Sequence, residues 1–328
     1  MSAVSLRLLA DIGGTNARFA LQEAAGKLVD VEVLACQDFA SLGEALAHYL
    51  ERAGARGLAV DGVRHAAIAI ATPVEGDLVG MTNHHWRFSI ETLRRSRGLD
   101  TLLVVNDFAA LAMALPHLAD EGREAVGAGE ALPGRPIGLI GPGTGLGVSA
   151  VIPVEGRWVA LPGEGGHASF APTTPREIRI LQALTEEYGH VSAERLLSGA
   201  GLQAIHRALC GQALPAAEIS GRALDGSCAD CRETVDVFCA VLGCVAGNVA
   251  LTLGATGGMY IGGGIVPRLG RLFHASPFRA RFEAKGRLQP WLARIPTWVV
   301  TEPYPALRGA AALLADHIAD RFAPGQAA

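Results

Sequence analysis

An acid, two glycines, a threonine and an asparagine separate two apolar runs in ADIGGTNARFAL, which extends from Ala10 to Leu21. A tight turn between two strands would need only the glycines, so the polar residues suggest chemistry. Backbone N–H groups can approach a phosphate closely in a glycine-rich loop, because no Cβ intervenes. Asp11 could hold Mg²⁺, through water since this ion keeps much of its hydration shell. Residues 11–16, the first glycine loop, therefore favour polyphosphate binding with the hydroxyl of Thr15.

Two further segments repeat this chemistry. They are GPGTGLG at 141–147, the second glycine loop, and GGG at 262–264, the third glycine loop. We expect the three loops to converge on a cleft where Thr144 also meets phosphate. The alternative is that each loop is a structural turn, for which glycine is the default residue. Three loops with interleaved polar residues favour phosphate binding.

Two better-known phosphate motifs do not fit. The Walker pattern needs a lysine after its glycines, and the only lysines, Lys27 and Lys285, lie outside any glycine-rich segment. Gly145, Gly147 and Ala150 match the Rossmann spacing, but strand and turn follow where the pyrophosphate-binding helix should begin. A polyphosphate would therefore be bound by Mg²⁺, backbone amides and hydroxyls.

Asn106 and Asp107 stand where a buried strand is followed by a helix, in VVNDFAA. Open α/β folds place their ligands at the carboxyl edge of the sheet. Asp107 could there accept the proton of a substrate hydroxyl. The alternative is a helix N-cap, to which both residue types are suited.

Glu164 and His167 lie in LPGEGGHASFAP, where glycines and prolines indicate a loop. An acid and a neutral imidazole there suit hydrogen bonding to several hydroxyls, and a solvated turn is the alternative. Glu194 precedes an apolar helical run and, in isolation, would be a solvent-facing helix residue. Cys228 and Cys231 form a C-x-x-C without a second pair at zinc-finger spacing, which disfavours a metal site.

The elements that must position these residues alternate between strands and helices. LRLLADI, ARFAL, VDVEVLAC, AAIAIA, TLLVV and GMYIGGGIV read as strands, and Ser41 with Glu44 predicts a capping box that starts a helix. A long buried helix is expected over CRETVDVFCAVLGCVAGNVALTLG, and a closing amphipathic helix is marked by Leu307, Ala311, Leu314, Ile318 and Phe322. The polar, Gly- and Pro-rich residues 116–136 predict a surface connection between lobes. The strand, glycine turn, strand pattern occurs twice, which indicates an α/β protein with paired domains.

Composition limits the classes of function. A chain of 328 residues suggests about two domains, and 18% charged residues leave much of it free for burial. The net charge of −4 provides no basic field for nucleic acid or an anionic membrane. The apolar run at the N-terminus is too short for a signal or membrane span, so we expect a cytoplasmic protein whose six cysteines remain thiols.

Taken in order, eight motifs closely resemble the bacterial glucokinase family of the sugar kinase, Hsp70 and actin superfamily: DIGGTNARFAL, MTNHHWRFSI, NDFAALAMA, GPGTGLGV, LPGEGGHASFAP, GHVSAERLLSG, DGSCADCR and GGGIVPR. The resemblance implies a two-lobed actin-like (ribonuclease H-like) ATPase fold with a central cleft and hinge. Residues 1–117 plus 308–328 would form the small lobe and residues 118–307 the large lobe. It further implies Mg²⁺-dependent transfer of phosphate from ATP to the 6-hydroxyl of D-glucose, the first step of glycolysis, and a homodimer.

Carried over by position, the resemblance makes Asp107 the catalytic base and gives sugar-binding roles to Asn106, Glu164, His167 and Glu194. The residues that would bind ATP are Ala10, Asp11, Ile12, Gly13, Gly14, Thr15, Asn16, Gly143, Thr144, Gly145, Gly263 and Gly264. The sequence matches neither the zinc-binding cysteine cluster of the related repressor and sugar kinase family nor a DNA-binding extension, so we expect neither a metal-dependent sugar site nor a transcriptional role. A kinase for another hexose and a non-catalytic sugar or nucleotide sensor of the same fold remain alternatives.

Overall fold

The computed structural model describes residues 6–23, 26–81 and 84–321. The chain forms two compact units, one from Met1–His117 with Tyr304–Ala328 and the other from Leu118–Pro303. Phe322 of the closing helix and part of the MTNHHWRFSI motif lie outside the described residues.

The first unit contains a five-stranded sheet in the order β3-β2-β1-β4-β7, in which β1, β4 and the edge strand β7 run parallel. Its strands are β1 (Arg7–Ile12), β2 (Asn16–Gln22), β3 (Leu28–Ala35), β4 (His65–Ile70) and β7 (Thr101–Asn106); β5 (Leu78–Gly80) and β6 (Arg87–Ser89) form a separate hairpin. Three helices follow strands in this part of the chain: α1 (Leu42–Ala55), α2 (Ile90–Ser96) and α3 (Asp107–Ala114).

Helix α1 has both an N-terminal capping sequence and an apolar face. The hydroxyl of Ser41 accepts a hydrogen bond from the Glu44 N–H, as the capping box predicts, although the Glu44 carboxylate bonds to the N–H of Ala40 rather than of Ser41. Its apolar side chains, including Leu46 and Tyr49, are fully buried with Leu8 of β1. The opposite face of the same sheet buries Leu9 against the C-terminal helix, so both faces are covered and the strands are almost entirely apolar.

The second unit contains a six-stranded sheet in the order β11-β10-β9-β12-β13-β8. Its strands are β8 (Arg123–Ala125), β9 (Ile137–Pro142), β10 (Leu146–Val154), β11 (Arg157–Gly163), β12 (Met259–Ile261) and β13 (Thr297–Val300). Each sheet contains an antiparallel meander of three consecutive strands, which are β1-β2-β3 in the first unit and β9-β10-β11 in the second. The first strand of each meander also pairs in parallel with a later strand, β4 or β12. The repeated strand, turn, strand pattern of the sequence therefore opens both sheets.

The remaining helices are α4 (Pro175–Tyr188), α5 (Gly199–Cys210), α6 (Ala216–Leu224), α7 (Ala229–Leu253), α8 (Val266–Leu269), α9 (Arg271–His274), α10 (Phe278–Glu283), α11 (Gln289–Leu292) and, in the first unit, α12 (Pro305–Arg321). Helix α7 is long and apolar enough to cross a membrane, but 67% of its apolar window is buried inside the protein. It packs against α5, α6 and α10 as the central helix of the second unit. Gly247 permits this packing, because a Cβ there would lie 2.6 Å from the carbonyl oxygen of Phe282.

The expectation for residues 116–136 is partly wrong. Arg123–Ala125 form strand β8, which pairs with β13 at the edge of the second sheet through Trp298 and Ala125. A polar edge strand of three residues carries no alternating pattern, and its partner lies far away along the chain. Sequence periodicity therefore could not identify it.

Candidate active site

Three parallel strands of the first unit end at the same level. Ile12 of β1 is in register with Ile70 of β4, which is in register with Asn106 of β7. Asp11, Asn106 and Asp107 therefore lie at one carboxyl edge of this sheet, where α/β folds place ligands.

The first glycine loop is a fixed hairpin turn. The Gly13 N–H donates to the Asn16 carbonyl at 2.9 Å. Cys36, which is buried, donates its N–H to the Thr15 carbonyl at 2.9 Å and its thiol to the Gly13 carbonyl at 3.4 Å. The side chain of Thr15 is exposed. Sequence reasoning gave Cys36 no role here, and no local signal connects it to a loop some 20 residues earlier.

Asp11 lies directly opposite Arg18 in the β1–β2 ladder, and the guanidinium donates to the Asp11 carboxylate at 3.1 Å. The Asp11 side chain is only 18% exposed. Burial raises the pKa of the Asp11 carboxyl, and the charge and hydrogen bond of Arg18 partly offset this rise. Sequence reasoning did not single out Arg18, although the antiparallel register of a short hairpin would have paired it with Asp11.

Asn106 is the N-cap of α3. Its side-chain oxygen accepts from the N–H groups of Phe108 and Ala109, and its amide nitrogen donates to the Thr72 carbonyl at 3.4 Å. Asp107 is the first residue of the helix, and its half-buried carboxylate accepts from the Phe108 N–H at 2.9 Å.

The second glycine loop closes the β9–β10 hairpin of the other unit. The Gly143 N–H donates to the Gly145 carbonyl at 2.8 Å, and the Gly143 carbonyl accepts from the Gly199 N–H at 2.9 Å. The Leu146 N–H donates to Oε2 of Glu194 at 2.8 Å. Thr144 is exposed at the tip of the loop.

Glu164 and His167 flank a single 3₁₀ turn, the 164–167 turn. Their side chains are 67% and 60% exposed, and Glu164 Oε2 lies 3.7 Å from His167 Nε2. The turn packs on β10 so closely that a Cβ at Gly166 would lie 2.0 Å from the Leu146 carbonyl oxygen. Glu194 and the 164–167 turn therefore both contact Leu146 at the end of the second glycine loop, the first through its carboxylate and the second through Gly166.

The third glycine loop lies against the second. The Gly262 N–H donates to the Ile140 carbonyl of β9 at 2.8 Å. Gly263 has a φ of +77°, and a Cβ on it would lie 2.3 Å from the Pro142 carbonyl oxygen. Both the backbone conformation and the close approach require glycine at this position.

The sequence-predicted residues thus form two sets, each at the carboxyl edge of one sheet. The first unit carries Asp11 to Asn16, Asn106 and Asp107. The second unit carries both remaining glycine loops together with Glu164, His167 and Glu194.

Cys228 and Cys231 have a local structural role. The Cys231 N–H donates to the Cys228 sulfur at 3.3 Å, so Cys228 is the N-cap of α7. Burial is the main cause that raises the pKa of the Cys231 thiol to about 12. Within the part of the chain that the structure describes, no three His, Cys, Asp or Glu side chains form a group that could hold a metal ion.

Comparison with known proteins gives consistent matches. The model of the glucokinase family matches residues 8–317. A glucokinase of Chromobacterium violaceum is 56% identical over 328 residues, covering 98% of this chain and 93% of that protein. A protein of Paraburkholderia xenovorans described as bifunctional is 53% identical over 322 residues, and the chain spans about half of its length. The crystal structure of a glucokinase from an Antarctic psychrotroph superposes with a TM-score of 0.85 at 37% identity, over 95% of this chain and 99% of that one. The fold is accordingly the actin-like ATPase fold.

Proposed function

The chain belongs to the glucokinase family, and from this premise we propose that it transfers the γ-phosphoryl group of ATP to the 6-hydroxyl of D-glucose. The products are glucose 6-phosphate and ADP. We propose that both substrates bind in a cleft between the two units, each of which supplies one of the two sets of polar residues.

The observation that carries this proposal is the placement of Asp107. It stands at the first position of α3, beside the carboxyl ends of three parallel strands, and it is only half-buried. Asp107 accepts the proton of the sugar 6-hydroxyl while the oxygen attacks phosphorus. Asn106 positions Asp107 in two ways. Its side-chain oxygen caps α3, and its amide nitrogen donates a hydrogen bond to Asp107 Oδ1 at 3.2 Å.

Sugar recognition falls to Asn106, Glu164, His167 and Glu194. Glu164 and His167 present exposed polar atoms on a turn whose backbone is fixed against β10. A site built to bond hydroxyl groups rejects a sugar that lacks one, because its own polar groups are then left unpaired.

Phosphate binding falls to the three glycine loops and the hydroxyls of Thr15 and Thr144. Asp11 suits Mg²⁺ because it is a poorly solvated carboxylate. No group of three or more His, Cys, Asp or Glu side chains that could hold a metal ion forms among the described residues, which fits an ion that keeps most of its waters. When bound, Mg²⁺ would supply positive charge that stabilises the phosphate oxygens. The chain's own contribution is to orient phosphate with loop amides in place of a lysine.

A coupled assay of ADP release tests the proposal. We expect turnover with D-glucose and ATP that requires Mg²⁺, and much less with mannose or an amino sugar. No ADP release with any hexose would contradict a catalytic function, and a preference for another hexose would contradict the substrate. We also propose a cytoplasmic homodimer that binds neither nucleic acid nor membranes, and light scattering on the same preparation should give the mass of two chains.

A further inference from the structure

One carboxylate, that of Glu194, lies directly against the second glycine loop. Its Oε2 accepts the Leu146 N–H at 2.8 Å, and a Cβ built on Gly145 would lie 2.5 Å from the same oxygen. The three nearest atoms to that Cβ all belong to the Glu194 carboxylate, at 2.5, 3.2 and 3.9 Å. Glycine at 145 is therefore what leaves room for the carboxylate.

The backbone around Glu194 joins two parts of the site. The Gly199 N–H donates to the Gly143 carbonyl on the second glycine loop, and the Ala193 N–H donates to the Ala168 carbonyl just after the 164–167 turn. Residues 193–199 therefore hold both the loop assigned to phosphate and the turn assigned to sugar.

The charge of Glu194 determines how sugar binding affects phosphate binding. An ionised carboxylate beside a loop that receives polyphosphate repels its ligand, because like charges that are close and partly desolvated destabilise one another. A sugar hydroxyl that donates to the carboxylate spreads this charge and fixes the side chain on the Leu146 amide. The loop then meets phosphate with the negative field of its carboxylate weakened by hydrogen bonds.

We propose that Glu194 is a positioning residue that couples the sugar site to the second glycine loop, so that glucose and nucleotide each strengthen binding of the other. This inference rests on the proposed function and goes beyond a role as one more sugar ligand. The coupling must be reciprocal, because it is a single free energy shared by two binding equilibria.

Gly145→Ala tests whether the second glycine loop sets the position of the Glu194 carboxylate. Its methyl group must displace the Glu194 carboxylate from the Leu146 N–H, and the backbone of Gly145 does not have the positive φ that alanine would resist. Titration calorimetry with glucose, in the absence of nucleotide, should give a dissociation constant about 10-fold higher than wild type, as expected for a lost hydrogen bond to a charged group. Gly143→Ala is the matched control, because a Cβ there approaches nothing closer than 4.0 Å, and it should bind glucose like wild type.

Variants of Glu194 complete the test. Glu194→Gln keeps an oxygen for the Leu146 N–H but removes the negative charge, so in the absence of glucose it should bind ADP more tightly than wild type does. Glu194→Ala should abolish the mutual strengthening of ADP and glucose, which in wild type should be about 5-fold or more. Adding Gly145→Ala to Glu194→Ala should weaken glucose binding no further, since both changes remove the same contact.

Two results would overturn the coupling while leaving the kinase intact: mutual strengthening of ADP and glucose that persists in Glu194→Ala, or no effect of either ligand on the affinity for the other in wild type. A wild-type protein that neither binds glucose nor releases ADP with it would instead overturn the proposed function, and the coupling with it.

Discussion

At the scale of single residues, Asp107 offers a sharp test of the mechanism. Asn at this position keeps the oxygen that accepts the Phe108 N–H but cannot take up a proton. We expect Asp107→Asn to lower kcat by at least about 10²-fold, as for loss of a general base. Circular dichroism and calorimetry should show a folded variant that still binds glucose. Turnover close to that of wild type would show that another group accepts the proton.

Asp11 predicts a dependence of stability on pH. Its pKa is raised in the folded state, chiefly by burial, so folding takes up a proton and this stabilisation is present at low pH. It is lost as pH rises from the ordinary carboxyl pKa of 3.8 through the raised value. Asp11→Asn carries no charge to desolvate and should escape this loss.

Urea unfolding of both proteins, without nucleotide or metal, measures the effect. The free energy of unfolding of Asp11→Asn should rise relative to that of wild type as pH increases across this range. A difference that is constant with pH, or that falls as pH rises, would mean that Arg18 rather than burial dominates the ionisation of Asp11.

At the scale of elements, the sequence predicts those whose signals are local. Helix α1 carries its own cap and an apolar face, and Leu42, Ala45, Tyr49 and Ala53 are all buried as their spacing indicates. The two strand, turn, strand patterns were recognisable because each glycine turn joins strands that are adjacent along the chain. The junction of β7 and α3 likewise placed Asp107 at a sheet edge before any contact was known.

Other features depend on contacts between distant residues, which no local pattern encodes. The bond between Glu194 and the Leu146 amide spans 48 residues, and Glu194 alone resembles an ordinary helix residue. Strand β8 and the thiol of Cys36 are similar cases. In each, the partner that gives the residue its role is chosen by the tertiary fold.

The packing of α12 on α3 gives a prediction at this scale. A Cβ on Gly309 would lie 1.6 Å from the carbonyl oxygen of Ala110, which is backbone of the helix that carries Asp107. Gly309→Ala should therefore force the helices apart, at a cost of about 1–3 kcal/mol or more as in overpacked cores. Because α3 must shift, kcat should also fall.

Gly43→Ala is the control for Gly309→Ala. Gly43 lies in α1 of the same unit, and its added Cβ would have ordinary contacts of 3.7 Å and longer. This variant should be as stable as wild type or slightly more so, because alanine favours helix. Equal urea midpoints for the two variants would mean that α12 and α3 tolerate wider spacing than their backbones indicate.

At the scale of the whole molecule, the sheets of the two units share one strand topology. The order β3-β2-β1-β4-β7 recurs as β11-β10-β9-β12-β13, and in each sheet the first antiparallel turn is a glycine loop. The chain passes between units twice, after His117 and after Pro303. Within the second unit, the Gly122 carbonyl accepts the N–H groups of Thr301 and Glu302. We predict that the chain hinges at the two crossings.

Closure about these connections is the last prediction. Water is smaller than glucose and could also attack ATP, so the enzyme needs a step that assembles the site only when sugar is bound. We expect X-ray scattering to show a smaller radius of gyration when D-glucose is added and no change with L-glucose, which has the same composition. Asp107→Asn should compact as wild type does, because closure requires binding and not proton transfer. A radius that is unaltered by saturating D-glucose would mean that the two units already hold their catalytic arrangement without sugar, and that suppression of ATP hydrolysis must then come from the residues around the reacting phosphate.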